Sequence, residues 1–188
     1  MKKRSFVFLS GLVLLLWGAI SWADSYSDTE SLFRKAGESA WFFGHSYGYA
    51  VFPTIGKGGL VVGAAHGDGR VYARGKYVGD TSMTQVSVGL QAGGQAYSQI
   101  VFFQDARAFK EFTKGNFEFG ADASAVAITA AAGAGVGTTG ASASASGSKH
   151  EAATAGKYYK GMAVFTIVKG GAMYQAAVAG QKFSYKPR

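Results

Sequence analysis

The stretch TQVSVGLQAGGQA, residues 84–96, decides the fold class. Apolar side chains at Val86, Val88 and Leu90 alternate along it with polar side chains at Gln85 and Ser87. A period of two over this length is typical of a β-strand and does not fit a helix. The stretch therefore predicts a strand of a sheet, with one set of side chains on each of its faces.

Further strands are predicted on both sides of this stretch. On its N-terminal side, a strand from Tyr47 is expected to stop at Pro53, which cannot donate to a ladder. A strand over 60–65 then leads into a hairpin turn at 67–69, and residues 70–74 form the second strand of this hairpin. On the C-terminal side, strands are predicted at 100–103, 116–120 and 158–168.

Two helices complete the predicted fold. Apolar residues recur at helical spacing over 28–40, before an aromatic cluster at 41–43 that ends the helix. A second helix, around 105–115, begins at Asp105 as a cap and ends at Gly115. The chain has 28 Gly and 2 Pro. These patterns predict an α+β fold, mainly antiparallel β, built as one Gly-rich sheet or sandwich or as a partly closed barrel.

Residues 1–23 have the pattern of a cleaved signal peptide. A basic start is followed by an apolar run and by small residues at Ser21 and Ala23, which fit a cut before Asp24. An uncleaved anchor is the alternative. The pattern predicts export to a periplasmic or extracellular location, and residues 24–188 form a single domain. Within it, residues 129–156 are a low-complexity segment of Ala, Gly, Ser and Thr.

Charge and composition limit the classes of partner. The net charge is +8, and removal of residues 1–23, with three cations and no acid, leaves +5. A positive excess favours anionic surfaces, and export makes nucleic acid the poorer candidate. The chain has no Cys and three scattered His, which excludes disulfides and the usual zinc patterns. We expect no cofactor and no metal, and the oligomeric state stays open.

Four stretches together resemble the SYLF-domain family, a lipid-binding group of bacterial secreted proteins and eukaryotic trafficking adaptors. They are Gly48–Pro53, the glycine-rich segment 57–69, Ser87–Gln95 and Phe117–Ser124. The resemblance covers roughly residues 30–185. It implies a mainly antiparallel β domain with flanking helices that binds acidic phospholipids without catalysis. Eukaryotic relatives bind phosphoinositides, and some bind actin.

The candidate lipid-binding residues form two groups. In eukaryotic relatives a basic amphipathic N-terminal helix contributes to lipid binding, and the resemblance assigns that place to segment 28–43, with Arg34, Lys35, Trp41 and Phe42. The alternative role of the aromatics is to fasten the helix to the sheet. The predicted hairpin adds a second group, in which residues 70, 72 and 74 share one strand face: Lys57, Arg70, Tyr72, Arg74 and Lys76. Its alternative is an ordinary solvated strand face.

Three other classes of protein compete with lipid binding, and one of them is a structural or interaction protein that associates through segment 129–156. The run Gly44-His45-Ser46-Tyr47-Gly48 matches the nucleophile elbow of a secreted serine esterase, with Ser46 as nucleophile. The predicted order around it is reversed, however, since a helix precedes the motif and a strand follows it. Export, glycine, aromatics and alternation also suggest a small outer-membrane β-barrel, but the helix predicted at 105–115 interrupts the run of strands.

Overall fold

The structure, a computed structural model, describes residues 22–59, 62–88, 93–123, 125–128, 157–171 and 178–188. Almost all of the predicted signal peptide, and the low-complexity segment 129–156, lie outside these residues. No helix among the described residues is long and apolar enough to cross a membrane.

The described residues form three helices and one eight-stranded sheet. The helices are α1 (Trp22–Lys35), α2 (Gly37–His45) and α3 (Ala106–Phe112). The strands are β1 (Gly48–Gly59), β2 (Val62–Ala73), β3 (Lys76–Val88), β4 (Gly93–Phe103), β5 (Phe117–Glu118), β6 (Val126–Ile128), β7 (Met162–Gly171) and β8 (Lys182–Pro187). Their order is β5-β8-β3-β2-β1-β4-β7-β6, and every pair is antiparallel except β6–β7. The predicted α+β fold, mainly antiparallel, is confirmed.

The two N-terminal helices cover part of one side of the sheet, which we call the helix face. Phe42 of α2 packs there against Phe102 of β4 and Phe165 of β7, with ring centroids 5.4 and 5.0 Å away. Phe33 of α1 is fully buried in the same core. Burial of these rings stabilises the contact by roughly 1.5–3 kcal/mol each, which fixes the helices on the sheet.

The sheet curls around its opposite side, the inner face, into an open half-barrel. Phe52 of β1 lies 5.7 Å from Phe183 of β8, centroid to centroid, although β2 and β3 separate the two strands in the sheet. Phe112 of α3 packs 5.0 Å from Phe183 and 4.8 Å from Phe103 of β4. The curl therefore encloses an aromatic core between strands that are not neighbours.

A pair of buried amides crosses the inside of this curl, and we call it the glutamine bridge. Gln99 Nε2 on β4 donates to Gln181 Oε1 at 2.8 Å, and Gln181 Nε2 donates to Gln99 Oε1 at 3.1 Å. Gln181 Nε2 also lies 3.4 Å from the Tyr97 hydroxyl. Both glutamines are 0% exposed, so protein partners replace the water that these groups lose on folding. The bridge ties β4 to the residue that precedes β8.

The predicted single helix over 28–40 is wrong, since α1 already begins at Trp22 and two helices meet at Ala36. Ala36 has an extended backbone (φ −79°, ψ 114°). The Ser39 hydroxyl donates to the Phe33 carbonyl at 2.6 Å, which satisfies a group left open at the end of α1. The aromatics at 41–43 lie inside α2. The second predicted helix is confirmed as α3, where the Asp105 side chain accepts from an N–H of the first turn. It ends at Phe112 rather than at Gly115.

The predicted hairpin turn at 67–69 is also wrong, because β2 runs through it and the turn falls at Arg74-Gly75. Arg74 and Gly75 have φ of 50° and 75°, as a tight hairpin of this kind requires. The glycines at 67 and 69 serve packing instead. A Cβ on Gly67 would lie 2.7 Å from Ile55 Cγ1, and one on Gly69 would lie 2.6 Å from the Phe52 ring.

Pro53 and the stretch 84–96 also behave differently from the prediction. β1 continues through Pro53, which falls within a register shift toward both neighbouring strands. A missing N–H is tolerated at such an irregularity.

The stretch 84–96 is the end of β3 and the start of β4 rather than one strand. Its alternation holds, but Gln85 is on the buried side (5% exposed) and Val86 is 70% exposed.

A polar contact that we call the Asp122 clasp joins two loops near the sheet edge. The Asp122 carboxylate accepts from the Tyr159 hydroxyl and lies 3.0 Å from the Lys160 ammonium. The bond from Tyr159, and then the bond from Lys160, hold the pKa of Asp122 below its usual range. The clasp fastens the segment that leads into β6 to the segment that leads into β7.

Candidate functional site

Aromatic rings form a row across one end of the helix face. Phe43 of α2, Tyr49 of β1, Tyr72 of β2 and Tyr77 of β3 follow one another at centroid distances of 5.2, 5.0 and 5.8 Å. Strand register creates the row, because Tyr49 pairs with Tyr72 and Tyr72 pairs with Tyr77. Directly opposed residues in neighbouring strands project from the same face of a sheet.

Arginine side chains lie over the rings of this row. The Arg70 guanidinium carbon is 4.2 Å from the Tyr26 ring centre and 5.1 Å from that of Tyr77. Arg188 lies 4.9 Å from the Tyr77 ring, and Arg34 lies 4.0 Å from the Phe43 ring. These distances are typical of cation–π contacts. We call the set the Tyr–Arg surface: Tyr26, Arg34, Phe43, Tyr49, Arg70, Tyr72, Tyr77 and Arg188.

Two carboxylates beside the Tyr–Arg surface already have partners. Glu30 Oε1 lies 2.6 Å from an Arg34 nitrogen, and Asp80 Oδ1 accepts from the Tyr77 hydroxyl at 2.6 Å. The bond to Asp80 is the main cause of the raised pKa of Tyr77. Burial, followed by hydrogen bonding with Glu30, raises the pKa of Tyr49. Both tyrosines therefore remain neutral at physiological pH, and their hydroxyls are engaged by carboxylates of the fold; Tyr49 is also buried, at 6% exposed.

Two of the arginines form no ion pair with any side chain that the structure describes. Among the described residues, no carboxylate lies within ion-pair distance of Arg70 or Arg188. The aromatic rings hold the guanidinium carbons in place, and the carboxylate of Asp80, the cross-strand partner of Arg70, accepts from the Tyr77 hydroxyl instead of forming an ion pair. This arrangement leaves N–H donors for an anion, and a planar guanidinium can donate two parallel bonds to a phosphate.

The structure brings together some of the predicted site residues. Arg34, Arg70 and Tyr72 belong to the Tyr–Arg surface, and beside it lie Arg74 in the β2–β3 turn and Lys76 at the start of β3. The prediction that Arg74 shares a strand face with Arg70 is wrong, because Arg74 lies in the turn with its guanidinium 5.1 Å from the Tyr47 ring.

The other predicted site residues lie elsewhere. Phe42 is buried in the helix-face core, so it fastens α2 to the sheet. Trp41 is half exposed and stacks on His45, with ring centroids 3.9 Å apart. Lys35 is exposed in the last turn of α1. Lys57 is not close to the hairpin cations as predicted. It lies toward the opposite end of β1 and on the inner face.

Four residues of the surface escape prediction from the sequence: Tyr26, Tyr49, Tyr77 and Arg188. A hairpin turn placed at Arg74-Gly75 would have paired Tyr72 with Tyr77 and revealed the row. No local signal brings Tyr26 or Arg188 to it, because they come from opposite ends of the chain.

Ser46 lacks the setting of a nucleophile elbow. Its hydroxyl donates to the Phe42 carbonyl at 2.6 Å and so caps the end of α2. The elbow of a hydrolase follows a strand and precedes a helix, whereas here α2 ends at His45 and β1 begins at Gly48. The esterase alternative therefore lacks the geometry that it requires.

The sequence model of the Ysc84 family, described as "Las17-binding protein actin regulator", matches residues 84–186, more than half of the chain. The chain belongs to this family. The SYLF resemblance seen in the sequence motifs is thereby confirmed, and the SYLF family is known for lipid- and actin-related binding. The matched range begins after Tyr77 and ends before Arg188, so all eight residues of the Tyr–Arg surface lie outside it.

The chain is also similar to Beta cell expansion factor A of Aeromonas veronii. The two are 28% identical over 156 residues, which make up 81% of this chain and 51% of that protein. The chain therefore spans about half the length of this relative.

Proposed function

We propose that this protein is an exported, non-catalytic lipid-binding protein that docks on acidic phospholipid headgroups through the Tyr–Arg surface. The observation that carries the proposal is Arg70, whose guanidinium lies over Tyr26 and Tyr77 with no described carboxylate in ion-pair range. Membership of a family known for lipid-related binding supports the ligand class. The signal-like residues 1–23 support a periplasmic or extracellular location.

The chemistry of the surface suits the headgroup region of a bilayer. Guanidinium groups donate to phosphate oxygens, while tyrosine rings are amphipathic and favour the membrane–water interface. Arg74 in the neighbouring turn and Lys76 at the start of β3 add two more cations. Each Lys or Arg close to an anionic membrane contributes about 1 kcal/mol to the free energy of binding. These two residues, together with Arg70 and Arg188, therefore contribute roughly 4 kcal/mol at moderate salt.

Sedimentation with vesicles tests the proposal. The protein is mixed with vesicles of phosphatidylcholine alone, or of phosphatidylcholine with phosphatidylglycerol, at low and high salt. We expect binding to the anionic vesicles only, weakened by salt because the interaction is electrostatic. The double variant Arg70→Glu with Arg188→Glu changes the net charge by four. Because each charge contributes on the order of 1 kcal/mol of binding free energy, the affinity for anionic vesicles should fall at least about 100-fold.

A matched control carries the same kind of charge reversal away from the surface. Lys110→Glu with Lys114→Glu changes two exposed lysines around α3, which packs on the inner face. Its vesicle binding should fall by much less than that of the arginine pair. An equal loss in both variants would show that only net charge matters and would remove the site. A protein that sediments with neither kind of vesicle would refute the function itself.

A further inference from the structure

Lys57 lies on the inner face, on the side of the sheet opposite to the Tyr–Arg surface. Register pairs it with Gln95 of β4 and with Ala65 of β2, and Ala65 pairs in turn with Gln85 of β3. These four residues form one cross-strand row, so their side chains project from the same face. Within the row, Gln95 is the direct neighbour of the lysine, and the small Ala65 separates the lysine from Gln85.

Lys57 is half-buried, and none of the carboxylates in the described part of the chain forms an ion pair with it. Burial alone lowers the pKa of its ammonium group, with no contribution from a neighbouring charge. The acidic residues that the structure describes lie elsewhere. Asp68 and Asp80 share the helix face with Arg70, Glu118 and Asp122 hold other lysines, and the remainder lie on or cap the three helices.

A half-buried ammonium without a counter-charge is costly, because it loses water and gains no ionic partner. An anion placed beside it would compensate that loss. Lys57 supplies three N–H donors, and the side-chain amide of Gln95 supplies two more. A cationic donor beside a neutral amide donor suits an oxygen anion, and charge-assisted bonds of this kind are the stronger class.

We propose that Lys57 and Gln95 bind one anionic oxygen group, a phosphate or a carboxylate, at the inner face of the sheet. The site is separate from the Tyr–Arg surface because the two lie on opposite faces. The inference therefore stands or falls independently of membrane docking.

Lysine footprinting of the intact protein tests the site. An amine-reactive ester labels the lysines, and peptide mass spectrometry reports the rate at each position. The probes are inorganic phosphate, glycerol 3-phosphate, octanoate and phosphatidylglycerol vesicles. We expect an anion to slow the labelling of Lys57 several-fold, while exposed Lys110 on α3 reacts at an unchanged rate in the same sample.

Two variants assign the effect to the proposed donors. Lys57→Met keeps the apolar stem, and it should weaken binding of the protecting anion at least tenfold in calorimetry, as the loss of a charge-assisted bond predicts. Gln95→Leu keeps the lysine and should weaken binding by about 2–10-fold, as expected for one neutral bond. Lys110→Met is the control. Unfolding of each variant is measured, so that loss of binding is separated from loss of fold.

The probes distinguish the sources of the anion. Protection by phosphate or glycerol 3-phosphate supports a phosphate site, and protection by octanoate alone supports a carboxylate site. Protection only by vesicles supports a headgroup as the source. If no probe slows Lys57 relative to Lys110, or if folded Lys57→Met binds the protecting anion as tightly as the native protein, the inference is overturned. Where a soluble anion protects Lys57, vesicle sedimentation of Lys57→Met should match the native protein, so a failure at the inner face leaves the membrane proposal untouched.

Discussion

Replacement of Gln99 by leucine tests whether the glutamine bridge holds the sheet in its curled form. The change removes two reciprocal bonds, of 2.8 and 3.1 Å, and leaves the Gln181 amide inside the core. Its carbonyl oxygen and one N–H both lose their partner, and the remaining contact is the long 3.4 Å approach to Tyr97. An unsatisfied buried polar group costs about 1–3 kcal/mol. We therefore expect a loss of about 2–5 kcal/mol in the free energy of unfolding.

The double variant Gln99→Leu with Gln181→Leu separates this cause from simple loss of packing. Removal of both partners can be nearly neutral, because no polar group is left unsatisfied. The double variant should therefore lose less stability than either single variant, with a coupling energy of at least about 1.5 kcal/mol.

Urea unfolding followed by circular dichroism measures these differences, at an m-value that stays constant. Gln104→Leu, a matched change at an exposed position after β4, should alter stability by less than about 0.5 kcal/mol. The stabilising role of the glutamine bridge is refuted if Gln99→Leu costs no more stability than this control. It is also refuted if the losses of the two single variants simply add in the double variant.

Three further predictions concern the helices, the turn and the clasp. Phe42→Ala should cost about 3–5 kcal/mol in urea unfolding, whereas Trp41→Ala, half exposed, should cost less than about 1.5 kcal/mol. Gly75→Ala should destabilise by about 1 kcal/mol because its φ is 75°, whereas Gly44→Ala, in open space on α2, should stabilise by up to about 1 kcal/mol. Asp122→Asn should lower the melting temperature at neutral pH, and the gap to the native protein should narrow as pH falls below about 4.

The sign of the last prediction follows from the depressed pKa of Asp122. A carboxylate with a folded-state pKa below its unfolded value contributes stability above the unfolded pKa and loses it as pH falls through the folded one. A difference in melting temperature between Asp122→Asn and the native protein that stays constant down to pH 2 would contradict the role of the Asp122 clasp. Equal losses for Phe42→Ala and Trp41→Ala would contradict the buried position of Phe42, and a stabilising Gly75→Ala would contradict the turn.

Periodicity predicts the kind of element well and the direction of its faces poorly. The alternation in 84–96 correctly indicates strands, yet the buried side is the one that carries Gln85. The Gln85 amide donates to the Ala179 carbonyl at 2.8 Å. Such a partner lies about 90 residues away along the chain, so no local pattern can show it. Similarly, Gly67 and Gly69 look like turn residues, although the bulky side chains of β1 are what require them.

The candidate site was predictable to the extent that it depends on one strand. Arg70 and Tyr72 are two apart in β2, so their common face follows from strand geometry alone. Tyr77 needs the correct turn position, and Tyr26 and Arg188 need the packing of both chain ends. Lys57 was grouped with the hairpin cations because charge is visible in a sequence, whereas the face of the sheet that a charge occupies is not.

The strand order has a consequence for how the chain folds. β1, β2 and β3 pair as two successive hairpins, so their loops close at little entropic cost. β8 must instead find β3, and the bond from Thr81 Oγ1 to the Ser184 carbonyl spans 103 residues. Contacts of this range form slowly. Before β8 has paired, β3 is an open edge of the sheet. The β8 segment of another copy can pair with this edge instead, which would give a strand-swapped dimer.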